Sequence, residues 1–88
     1  MSTKRKFFKM SRVSWKNFKE FISKNEFPIL EQGPNFIVYL NTFNKIYGCE
    51  IYNLNPVPYR PNHSFIFAKN LQKVLDFCNE YKTSPWPV

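Results

Sequence analysis

Eighty-eight residues are enough for one domain around one core and too few for two. Thirteen Lys and Arg against six Asp and Glu give a formal charge of +7, and ten Phe, five Tyr and two Trp make the expected core one of large rings. Two cysteines without a CxxC or a Cys/His cluster exclude a disulfide framework and a zinc site, and no run approaches the ~18 apolar residues of a membrane span.

The excess charge lies at one end. Lys4, Arg5, Lys6, Lys9, Arg12, Lys16, Lys19 and Lys24 face one acid, Glu20, in the first 24 residues, and the remainder is neutral. Such a local field attracts polyanions, either nucleic acid or an acidic protein surface. Residues 1–12 read as a basic N-terminal arm without periodicity, in which Phe7, Phe8 and Met10 offer something to dock. The alternative is a solvated tail.

Ser14 suits an N-cap with Val13 and Phe18 as a hydrophobic staple, which predicts a helix over 15–24. Trp15, Phe18, Phe21 and Ile22 then share one face, opposite Lys16, Lys19, Glu20, Ser23 and Lys24. Residues 27–30 allow a short extended piece, and Gly33-Pro34 signal a turn. The run 36–40 is apolar on both faces, as in a strand covered on both sides or central in a sheet. After a hairpin loop at 41–44, a strand over 45–52 sets Tyr47, Cys49 and Ile51 opposite Ile46, Gly48 and Glu50, with Cys49 expected as a small core residue.

Residues 53–62 form a proline-rich loop in which Tyr59 and Arg60, between Pro58 and Pro61, offer a stacking ring and a guanidinium. The alternative is a rigid connector. Alternation over 63–68 predicts a third strand with His63 at its surface-exposed start, and Asn70 should cap a helix running to Tyr81 or Lys82 on Leu71, Val74, Leu75, Cys78 and Tyr81. Trp86 in the final Pro-Trp-Pro either folds back as a lid or anchors a partner.

The expected fold class is α+β: a single small domain of helix, three-stranded antiparallel sheet and helix (α-β-β-β-α), with a basic N-terminal arm and both helices on one face. The arm spans 1–12, the domain 13–82 and a Pro/Trp C-terminal tail 83–88. In element order, with Lys69 and Lys73 at the start of the second helix, the chain resembles double-stranded-RNA-binding domains. Its Gly33-Pro34, however, precedes the first strand instead of joining the first two. In order and charge it also resembles the HicA-like family of mRNA-cleaving toxins, although Gly48-Cys49 occupies the middle of the second strand and the chain's only His is His63. No catalytic role is carried over from that resemblance.

One His, one Asp and five scattered Glu give no constellation for acid-base or metal-ion hydrolysis, so no catalytic residue, metal or cofactor is expected. The expectation is a non-catalytic nucleic-acid-binding accessory protein, RNA preferred over duplex DNA. Lys4, Arg5, Lys6, Lys9, Arg12, Lys16 and Lys19 would meet phosphates, and Tyr59 with Arg60 would stack or bridge. The helix over 71–81 has a nearly neutral polar face, which speaks against a DNA recognition helix. The alternative is an inhibitor or regulator of a host enzyme, anchored by the proline loop and Trp86; a third reading is a small ribonuclease toxin using Arg60 and His63. Richness in Lys, Asn, Phe, Ile and Tyr points to a low-GC genome such as that of a phage or mobile element, and the protein is expected in the cytoplasm, that of the host if viral.

Overall fold

Strands that are apolar on both faces must be covered on both faces, and this requirement sets the architecture. The computed structural model of the chain describes residues 4–8, 12–52 and 62–83, with side chains described for 14–52 and 62–83. Strand β1 (Lys4–Phe8) leads into helix α1 (Arg12–Lys24); strands β2 (Ile29–Gln32), β3 (Phe36–Asn41), β4 (Ile46–Tyr52) and β5 (His63–Ala68) follow, and helix α2 (Leu71–Tyr81) closes the order. The strands make one antiparallel sheet in the order β1-β5-β4-β3-β2.

The α+β class therefore holds, but the sheet is larger than the expected three strands. Four strands lie between the helices in sequence, and β1, expected as part of an arm, pairs with β5 at the far edge. At the other edge, β2 pairs with β3 through a register shift between Ile29 and Glu31, and all four of its residues are exposed.

The helices cover opposite faces, not the single face expected. On one side Val74, Phe77, Cys78 and Tyr81 of α2 pack on Phe36, Val38, Cys49, Ile51, Ile66 and Ala68. On the other, Trp15 and Ile22 of α1 join Phe27, Ile37, Tyr39 and Tyr52, with Phe18 and Phe67 packed against them. Successive residues of β3 alternate between the two clusters, as strand geometry requires. With four strands between the helices, the element order also departs from the α-β-β-β-α order on which the resemblances rest. Cys49 is fully buried, as expected of a core residue.

The layer under α1 is a run of rings. Trp15 stacks on Tyr52 at 5.6 Å between centroids and on Phe18 at 5.4 Å. Phe18 meets Tyr39 edge-on at 5.8 Å, and Phe27 stacks on Tyr39 at 6.1 Å. Room for the Tyr39 ring comes from its cross-strand partner Gly48, where a Cβ would stand 2.7 Å from the Tyr39 Cζ.

Helix α1 starts earlier than expected, at Arg12, so Ser14 lies in its first turn instead of capping it. It ends in a left-handed cap: Glu26 takes φ 55°, its N–H donates to the Ser23 carbonyl, and the Phe27 N–H donates to that of Ile22. The Asn25 side chain donates to the Phe21 carbonyl at 2.8 Å. This cap turns the chain so that Phe27 and Ile22 share the core. At the start of α2 the Asn70 side chain accepts from the Gln72 N–H at 2.8 Å, the expected N-cap. The Asn35 side chain donates to the Lys82 carbonyl at 2.8 Å and fastens the end of α2 to the β2–β3 connection.

Two substitutions test this account by denaturant unfolding. Gly48→Ala sets a methyl against the buried Tyr39 ring, which must shift to admit it, and should cost about 1–3 kcal/mol. Glu26→Gly relieves a side chain from left-handed backbone and should stabilise the protein by up to about 1 kcal/mol.

Candidate nucleic-acid interface

Helix α1 presents a lysine surface to solvent. Lys16, Lys19 and Lys24 are exposed there, together with Asn17, Glu20 and Ser23. Lys16 and Lys19 are three residues apart, so they are neighbours on the helix surface. Arg12 is the first residue of α1, one turn before Lys16. Lys4, Arg5 and Lys6 lie on edge strand β1, in register with Phe67, Ile66 and Phe65 of β5. Lys9, Tyr59, Arg60 and Trp86 lie outside the described residues.

The rings divide differently from the sequence expectation. Trp15 stays in the core, as its place on the apolar face of the helix predicts. Phe21, placed by helical periodicity on the buried face, is 48% exposed. Trp15 and Ile22 define the line facing the sheet, and Phe21 stands roughly a quarter to a third of a turn off it. A second exposed ring was not anticipated. Phe43, 76% exposed, sits in the turn joining β3 to β4, where the Asn41 side chain accepts from its N–H at 3.0 Å. The turn closes with the Lys45 N–H donating to the Asn41 carbonyl at 2.8 Å, and Lys45 takes φ 59°. The sequence signal was a Phe where turns favour Gly, Asn, Asp or Ser.

His63 is not the surface residue expected at a strand end. It is 1% exposed, with its Nε2 2.7 Å from Oε1 of Glu50, itself largely buried. Both belong to the face under α1: the cross-strand neighbour of His63 is Tyr52, on which Trp15 stacks, and Glu50 lies two residues along β4. Burial first, and then the nearby Glu50 charge, push the Tyr39 hydroxyl well above the ordinary phenol range, so it stays protonated. On the opposite face Cys49 meets Cys78; that hydrogen bond, followed by burial, holds the Cys49 thiol well above its usual range, which makes it a neutral packing group.

The outer face of α2 is exposed and nearly neutral, with Gln72, Lys73, Asp76, Asn79 and Glu80; the Gln72 side chain donates to Asp76 at 2.9 Å. Among the described residues no group of three or more His, Cys, Asp or Glu is placed to hold a metal ion, and no helix is long and apolar enough to cross a membrane. No family model matches the chain, and no curated protein or solved structure is significantly similar to it.

A buried His–carboxylate pair is costly to break, since removing one member strands the other away from water. His63→Ala and Glu50→Ala should each destabilise the fold by about 3–5 kcal/mol. The double variant should lose less than the sum of the two, and a double-mutant cycle of unfolding free energies reads that coupling directly.

Proposed function

We propose that this chain is a non-catalytic nucleic-acid-binding protein, with RNA its preferred ligand and the outer face of α1 its contact surface. One observation carries the reading: Lys16, Lys19 and Lys24 are all presented to solvent on α1, with Glu20 the one acid on that helix. The basic residues of β1 precede this helix directly, so Lys4, Arg5, Lys6 and Arg12 extend the same charge in sequence.

The physics of such a surface is phosphate neutralisation. Each lysine that meets a phosphate releases condensed counterions, which gives affinity with little dependence on base sequence. RNA is preferred because the contacts on offer are phosphate attraction, shape and ring stacking, which are the modes of RNA readers. The role requires no reacting group, and His63 serves the fold through Glu50.

The experiment is a salt titration of binding to a single-stranded RNA oligonucleotide, followed by fluorescence anisotropy. Affinity should fall linearly with the logarithm of salt concentration. Replacing Lys16, Lys19 and Lys24 together by Gln should reduce the slope by about two, at ~0.7 per phosphate contact. An unchanged slope in that triple variant would remove α1 from the interface.

A further inference from the structure

We propose that Phe21 and Phe43 form a stacking platform for unpaired bases, which makes the preferred ligand a single-stranded nucleic acid. The inference rests on the nucleic-acid reading above and adds a second kind of contact to it.

The two rings form one feature. Phe27, buried at the end of the α1 cap, meets Phe21 at 5.7 Å and 75° and Phe43 at 5.3 Å and 78°. Phe27 is in turn stacked on Tyr39 in the core. The exposed pair is therefore seated on the ring layer of the domain. Each support is itself fixed, Phe27 by the left-handed cap at Glu26 and the backbone at Phe43 by the hydrogen bond to Asn41. About three quarters of Phe43 faces water, an arrangement that folding alone does not favour.

Charge identifies the occupant. Lys24 follows Phe21 by one helical turn and Lys45 lies two residues beyond Phe43; both are exposed. The acids near these rings in sequence are Glu20 and Glu26. Rings interleaved with lysines match a strand whose phosphates follow the ammonium groups while its bases lie on the aromatic faces. The neighbouring apolar residues Ile29 and Leu30 are also exposed, on β2. That edge is four residues long and carries a register shift, features that discourage a partner strand from adding to it. A duplex keeps its bases stacked on one another and gives these rings nothing to hold.

The test compares three probes on the full chain: a single-stranded RNA oligonucleotide, an RNA duplex of equal length, and an abasic strand that keeps the phosphates. Phe43→Ala should weaken binding of the single strand about 5- to 150-fold while leaving the duplex and abasic strands unaffected. Phe43→Trp should restore or exceed the original affinity. Because Phe43 is so exposed, Phe43→Ala should keep the thermal midpoint of the parent, so that a loss of binding is a loss of contact.

If the parent protein binds all three probes equally and Phe43→Ala changes none of them, the platform is wrong while the phosphate surface stands. If no probe binds at all, both readings fall. If Phe43→Ala instead abolishes self-association in sedimentation and leaves single-strand affinity intact, the rings are a protein interface and the platform is overturned.

Discussion

The structure depends on the ring layer between α1 and the sheet. Its central strands are apolar on both faces, and one small chain must cover them twice. On the α2 side, Val74, Phe77, Cys78 and Tyr81 lie on Phe36 and on the short and branched Val38, Cys49, Ile51, Ile66 and Ala68 of the sheet. On the α1 side the run from Tyr52 through Trp15, Phe18 and Tyr39 to Phe27 fills the space with a few large rings. Each ring removes far more apolar area from water than an aliphatic side chain does, so the inward side of one helix suffices. Gly48 belongs to the same constraint, because Tyr39 occupies the volume that any side chain there would need.

That layer also determines what α1 shows to solvent. With Trp15, Phe18 and Ile22 turned inward, Lys16, Lys19 and Lys24 are left exposed. At one end the rings continue into the open as Phe21 and Phe43; at the other, Tyr52 lies beside the buried His63–Glu50 pair. A single face thus carries the aromatic core, a closed polar pair and an exposed basic and aromatic surface. The α2 face has a neutral outer side and a thiol pair enclosed in apolar packing.

The parts of the fold visible in the sequence are those with local causes. β5 and α2 are legible in the sequence because alternation, helical spacing and the Asn70 cap each act within a few residues. The two-faced apolar run of β3 allows either cover on both sides or a central place in the sheet, and the structure shows both. β1 and β2 left weaker traces because they are edges: Lys-Arg-Lys-Phe-Phe has no alternation, and Ile-Leu-Glu-Gln is short, shifted in register and exposed throughout. Their strand character comes from the neighbour each one finds. The start of α1 was displaced for a related reason, since a residue suited to capping does not cap when the helix already runs through it.

The sequence by itself determined the α+β class, the strand positions of β3 to β5, the ring-rich core and the placement of the excess charge at the N-terminal end, because composition and short periodicities are enough for these. Only the tertiary structure decided that the helices lie on opposite faces, that His63 is buried against Glu50, and that Phe21 and Phe43 meet around Phe27. Each of these depends on residues far apart in the chain being brought together. Which face of a sheet a helix covers, and which rings remain in water, follow from how the whole chain divides its apolar surface between two layers.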